Sequence, residues 1–457
     1  MTATSTRERV KRPIAATFVA LCCAVTLGAT HARADELPIP VEVARLDNGL
    51  RVVLSPDHAS PTVAIELFYD VGARVEEAHH TGFAHLFEHM MFEGSANVAK
   101  GAHFRLITAH GGSFDGRTNQ DRTHYAETLP SNALELGLFL EADRMRSLAV
   151  TRENFEIQRA VVMEERRQSY ENRPYMMSYL RRDELAYEGY FPYEHSTLGS
   201  MADLQAATLD EVRAFHDRYY APDNAVLAIA GDLDPAQTME MVRRHFGAIP
   251  ARHAPPWQAP AYEAPREERR ETIRDAFATA PAFHVAWHIA ARRTPDHYAL
   301  DVLAAVLGDG HSARLYQDLV REHEIASTIE VDTEGHRGPD IFTLWCVLTA
   351  GHTGEEARAR IDAQFDDIAR HGITDRELGR AHNALRRQFI FGLQSYLTRA
   401  RRLAVYELYD HDASLARTEL DRYLAVTAAD VQRVAGRYFA RSNRVVLDVL
   451  PTTQPSR

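Results

Sequence analysis

"TLDEVRAFHDRYYAPDNAVLAIAG" (residues 208–231) returns as "TAADVQRVAGRYFARSNRVVLDVL" (residues 427–450), in register and without a gap. Thr208/Thr427, Val212/Val431, Arg218/Arg437, Tyr219/Tyr438 and Asn224/Asn443 share one offset of 219 positions. Each copy reads as a helix opened by a Thr cap, then a turn, then a strand of aliphatic and β-branched residues. A chain of 457 residues is too long for one core, so the duplication implies two halves of similar fold. The proline-dense run from Pro250 to Pro265 marks their join. The expected divisions are a signal segment at 1–34, an N-terminal domain at 35–249, a linker at 250–270 and a C-terminal domain at 271–457.

Within the first half, "VAIELFYDVG" (63–72) reads as a strand, 81–92 and 102–111 as helices, "GSFDGRTN" (112–119) as a strand, and 131–148 and 152–170 as long helices. Strands interleaved with helices in this way predict an α/β class, an α+β sandwich with helices packed on mixed or antiparallel sheets. The second half repeats the order from about residue 280.

Arg7, Arg9, Lys11 and Arg12 precede an apolar run from Pro13 to about Thr30, which ends in Ala32-Arg33-Ala34. This is the pattern of a secretory signal cut after Ala34, a retained N-terminal anchor being the alternative. The mature chain is then expected in the periplasm or outside the cell, with no other segment apolar for long enough to span a bilayer. The net charge of −12, more negative once the basic leader is gone, argues against nucleic acid and anionic lipid as partners. Cys22 and Cys23 would leave with the leader; Cys346 has apolar neighbours and is expected in the core, with no internal disulfide.

The chemistry is concentrated in "HLFEHMMFEG" (85–94). Positions i, i+3 and i+4 of a helix share a face, so His85 and His89 could grip one metal ion with Glu88 beside them. Zinc favours imidazole and carboxylate ligands and, in catalytic sites, keeps a place open for water. It lowers the pKa of that water, and a neighbouring carboxylate can take the proton as the water attacks a carbonyl. Glu88 suits that role. At the same offset of 219, His85, Glu88 and His89 fall opposite Ala304, Leu307 and Gly308, so the second half keeps the scaffold without the polar cluster. A third ligand is expected from "RENFEIQRAVVMEERRQ" (152–168), which offers Glu153, Glu156, Glu164 and Glu165. Its apolar Phe155, Ile157, Val161, Val162 and Met163 predict a partly buried helix, and residue chemistry alone leaves Glu164 and Glu165 level. His79, His80, His110, His124 and His323 read as surface or locally bonded residues.

H-x-x-E-H is the inverzincin signature, and together with "VVMEERR" some 75 residues later it resembles the pitrilysin-type M16 metallopeptidases. The likeness extends through "SFDGRTNQDRTHYAETLP" (113–130), "RYYAPDNAVLAIAGD" (218–232) and "LGDGHSARLYQDLVRE" (307–322), and so covers most of the chain after the leader. It implies an endopeptidase of extended peptides holding one Zn²⁺ per chain through His85, His89 and Glu165, with Glu88 as base. It also implies a peptide bound as an added strand along Phe114, Asp115 and Gly116. Family sites borrow an Arg and a Tyr, seven apart, from the second half; here Arg321 is present and Thr328 stands at the tyrosine position. The family often has Asn where Asp115 stands, and an acidic residue where Gln158 stands. Short, two-domain members pair with a second chain to close a chamber. The expected partner is therefore a related subunit that brings the Arg/Tyr pair, with a homodimer as the alternative. A non-catalytic core or assembly subunit is the rival function.

Overall fold

The computed structural model describes residues 39–452; the expected signal segment at 1–34, with Cys22 and Cys23, lies outside them. The first half comprises β1 (Glu42–Arg45), β2 (Arg51–Pro56), β3 (Thr62–Tyr69), α1 (Phe83–Met90), α2 (Ala102–Ala109), β4 (Ser113–Thr118) and β5 (Thr123–Pro130). It continues with α3 (Leu134–Ser147), α4 (Arg152–Arg166), α5 (Met176–Ala186), the short α6 (Phe191–Glu194) and α7 (Met201–Ala206), α8 (Leu209–Tyr219), β6 (Ala225–Gly231) and α9 (Pro235–Phe246). The second half comprises β7 (Arg269–Asp275), β8 (Ala282–Ile289), α10 (Pro295–Gly308), β9 (Ala326–Thr333), β10 (Asp340–Leu348) and α11 (Gly354–His371). Then follow α12 (Asp375–Gln394), α13 (Tyr396–Asp410), α14 (Leu415–Leu424), α15 (Ala428–Tyr438) and β11 (Arg444–Pro451).

The repeated stretch folds as α8 and β6 in one copy and as α15 and β11 in the other. Thr208 and Thr427 each close a capping box, with Glu211 and Asp430 as partners. The duplication extends to topology. The first sheet runs β1-β2-β6-β3-β5-β4 and the second β7-β11-β8-β10-β9. Apart from the extra edge strand β1, the two orders match strand for strand, and each sheet has a single parallel pair, β2 with β6 and β7 with β11. The sheets are thus mixed, with helices packed on them, an α/β fold. Cys346 is buried in β10.

Both faces of the central strands are covered, which is why β3, apart from Glu66, is apolar on both faces rather than alternating. Val63, Ile65, Leu67 and Tyr69 face the core built with the half's own helices. Ala64 and Phe68, with Val53, Val226, Ala228 and Ala230, pack against Ala400, Leu403, Ala404 and Leu408 of α13, which belongs to the second half. The exchange is reciprocal. α5 and the segment after it place Ala186, Tyr187, Tyr190 and Tyr193 against Ala286, Ile341 and Val445 of the second sheet, with Tyr175 and Tyr179 against Ala282, Trp345 and Val449. The residues joining the halves are equally committed: Trp257 lies over the Arg74 guanidinium, 4.7 Å from its ring centre, and the Tyr262 hydroxyl donates to the Ala186 carbonyl at 3.0 Å.

His124, expected at the surface or locally bonded, is neither. It is buried on β5, its Nδ1 2.9 Å from Glu66 on β3, whose other oxygen accepts from Arg401 of α13 at 2.8 Å. A polar pair on adjacent strands meets under the exchanged helix. His80, His110 and His323 behave as expected, on Glu211, the Leu106 carbonyl and Asp318.

Candidate metal centre

α1 has two faces. Phe83, Leu86, Phe87 and Met90 recur at helical spacing and are buried in the core of the first half. His85, Glu88 and His89 occupy the remaining face, against which α4 packs. α4 opens at Thr151, whose side chain accepts from Asn154 N, and the side it turns toward the core carries Phe155 and Val162. Glu165, three residues after Val162, continues that side. The helix is partly buried, as expected: Ile157 and Val161 lie on the opposite stripe, 41% and 43% exposed. Glu164 is exposed with them and bonds Gln168 at 2.8 Å and Arg167 at 3.2 Å.

Glu165 Oε2 lies 3.2 Å from His89 Nε2 and 3.8 Å from His85 Nε2. The two imidazoles stand nearly perpendicular, with centres 4.8 Å apart. One donor atom from each residue falls within 4.8 Å of the others, and among the described residues no lysine or arginine forms an ion pair with Glu165. The protonation states favour coordination. Burial, reinforced by His89, pushes His85 down to about 4, which leaves its imidazole neutral; the hydrogen bond from His89, outweighing burial, holds the Glu165 carboxyl below the usual carboxylate range. Two imidazoles and one carboxylate converging without a cation of their own fit zinc.

Glu88 is next to this cluster and is pushed up by burial, with Thr118 as a hydrogen-bond partner that opposes the shift. A Cβ on Gly116 would come 3.3 Å from Glu88 Cγ and 3.2 Å from the Phe92 ring, so the glycine lets β4 approach the Glu88 side chain. β4 is the last strand of its sheet, with one edge unpaired along Phe114, Asp115 and Gly116. Asp115 pairs with Arg117 at 3.0 Å and lies 3.9 Å from Arg401. Gln158 donates to Glu93 at 2.7 Å. Arg321 is exposed in the second half, and among the described residues no hydrogen bond or ion pair joins it to the cluster; Thr328 lies on β9.

Two features escape a reading of the sequence. Thr118 follows Phe114 and Gly116 at strand spacing and shares their face, a periodicity that could have identified it. Beside it is a cavity of about 270 Å³ lined by Thr118, Tyr170, Met176, Tyr179 and Leu180 among others. A second buried group, His103, Glu127 and Glu141, also gathers metal-competent donors. It has a cation of its own: Arg144 bonds Glu141 through two nitrogens. That group is an ionic cluster in the core.

A family model described as "Insulinase (Peptidase family M16)" matches residues 51–190, the half with the cluster. One described as "Peptidase M16 inactive domain" matches residues 206–385. The chain is 29% identical over 448 residues to "Zinc protease PqqE" of Helicobacter pylori, covering 97% of this chain and 99% of that protein. It also resembles a solved structure of a protease from Helicobacter pylori, with a TM-score of 0.85 and 26% identity, covering 90% of this chain and all of that one. A peptidase M16 inactive domain from Pseudomonas fluorescens shares the fold, with a TM-score of 0.81 at 18% identity over 91% of this chain and 99% of that one.

Proposed function

The chain belongs to the M16 peptidase family, and from that membership and the geometry of its cluster we propose that it is an exported zinc endopeptidase acting on unfolded or extended peptides. The observation that carries the reading is the convergence of His85, His89 and Glu165 beside Glu88 at the edge of an open strand. The relative named a zinc protease supports the metal. In this reading His85, His89 and Glu165 hold one Zn²⁺ per chain. Zinc, when bound, supplies Lewis acidity toward the scissile carbonyl and toward water.

The residues of the chain do the rest. An extended peptide pairs with the free edge of β4, where main-chain hydrogen bonds along Phe114, Asp115 and Gly116 are indifferent to side-chain identity. Gly116 keeps the strand close enough for the bound carbonyl to lie against Glu88. Glu88 takes the proton of the attacking water and hands it to the leaving amine, and its partial burial raises its basicity for that task. Arg321 approaches the substrate from the second half.

The chamber is closed in this proposal by a related subunit that lacks H-x-x-E-H and carries an Arg/Tyr pair, because Thr328 supplies no phenol here; a homodimer is the alternative arrangement. The leader directs the chain to the periplasm or out of the cell. The test is hydrolysis of an unstructured peptide by the purified chain, alone and with such a subunit. Turnover that rises on adding the partner supports the pair, and full turnover by the isolated chain removes the need for one. No turnover in any combination would favour a non-catalytic assembly subunit.

A further inference from the structure

α1 has only eight residues, a length at which a helix in water is marginal and depends on its surroundings. Its first ligand, His85, is in the first turn, where fraying begins. The usual remedy, a Ser, Thr, Asp or Asn at the cap, is missing: the cap is Gly82, left-handed at φ +89°, and no side chain at that position bonds back to the helix. A Cβ there would come 2.8 Å from the Leu198 carbonyl oxygen.

A carboxylate six residues upstream supplies what the cap does not. The Glu76 side chain is fully enclosed; its Oε2 accepts from Gly82 N and its Oε1 from Ala84 N, both at 2.8 Å. These are the N–H groups that a helix start leaves without partners. The carboxylate is itself held from outside the helix. His195 Nε2 lies 3.0 Å from Glu76 Oε2, and His195 Nδ1 lies 2.6 Å from the Phe191 carbonyl oxygen, an atom that can only accept. Burial disfavours charge on the ring, but the hydrogen bond with Glu76 outweighs it and holds His195 above the usual imidazole value. The residue before the cap is fixed too, Thr81 bonding Asp203 and receiving Ser200 N at 2.9 Å.

We propose that Glu76 is a positioning residue for the metal centre: by tying the Gly82 and Ala84 N–H groups it fixes the first turn of α1, and with it the His85 imidazole, while His195 holds Glu76 in place. The proposal rests on the reading of His85 as a zinc ligand. Glutamine is the informative replacement, because whichever way its amide is turned, one backbone N–H faces an NH₂ group instead of an oxygen.

The experiment measures zinc affinity by chelator competition and amide hydrogen exchange across residues 82–86, in the full mature chain and in Glu76→Gln. Glu77→Gln is the control, since Glu77 is exposed and, among the described residues, its side chain forms an ion pair with Arg218 alone. Loss of a cap contact predicts about tenfold weaker zinc binding and about tenfold faster exchange confined to 82–86, both absent in the control. Zinc affinity within twofold of the parent in Glu76→Gln would overturn the proposal, as would unchanged exchange at 82–86. A parent that binds no zinc would instead remove the functional reading, and exchange at 82–86 would still decide whether Glu76 fixes the turn. Should Glu76→Gln fail to fold, His195→Gln replaces it. That variant keeps the carboxylate but frees its outer side, and about threefold weaker zinc binding is expected; no change there would overturn the proposal.

Discussion

Glu165 Oε2 lies 3.2 Å from His89 Nε2, although the two residues come from helices separated by α2, two strands and α3. The contact selects one carboxylate of an acidic helix. Glu164, the adjacent residue, points the other way and is satisfied by Arg167 and Gln168.

A ligand series follows from this contact. His85→Ala, His89→Ala and Glu165→Ala should each lose most bound zinc, because a three-ligand site deprived of one member rarely keeps its affinity. Glu164→Ala should keep it. Metal analysis of the purified variants is the check, and near-stoichiometric zinc in Glu165→Ala would contradict the assignment.

The exchanged helices predict that the halves do not fold apart. Leu403 of α13 is fully buried against the first sheet, and Leu403→Ala should cost about 2–5 kcal/mol in a transition that fluorescence and circular dichroism report together. Residues 35–249 expressed alone would expose Val53, Phe68, Val226 and Ala228 on the uncovered face, and should aggregate or remain unfolded. A stable, cooperative fold in that fragment would refute the dependence.

His297 predicts a loss of stability at alkaline pH. Its Nε2 is 2.8 Å from Asp340 and its Nδ1 3.3 Å from Asp301. Burial disfavours the charge, but the two carboxylates outweigh it and push His297 up to about 10. A raised folded-state pKa means that the stabilisation is fully present below about 6.5, the unfolded value, and is lost as pH rises toward 10. Urea midpoints at pH 6 and pH 9.5 should show the advantage of the parent over His297→Gln shrinking at the higher pH; a constant difference would contradict the pairing.

Much of this architecture is legible in the sequence, because the repeat at 208–231 and 427–450 carries its own caps, turn and strand. The exchange is not. Ala400, Leu403 and Ala404 announce a helix with an apolar side, but nothing local says which sheet that side meets. The site divides in the same way. The spacing of His85, Glu88 and His89 shows a shared face directly, whereas Glu164 and Glu165 differ only in which stripe of α4 turns inward. Five apolar residues on that helix point in two directions, with Phe155 and Val162 buried and Ile157 and Val161 exposed. His124 departs from expectation because its partner, Glu66, lies on the neighbouring strand, a pairing that only the register of β3 and β5 creates.

Zinc-dependent hydrolysis with Glu88 as base is decided by comparing Glu88→Gln with the parent on an unstructured peptide, at equal zinc content and with whatever subunit completes the chamber. Glutamine keeps the size and hydrogen-bonding reach of Glu88 but cannot take a proton from water. The expected result is full zinc and intact peptide binding, with turnover reduced by about 10²–10⁴-fold. Equal turnover in the two proteins at equal zinc would contradict it.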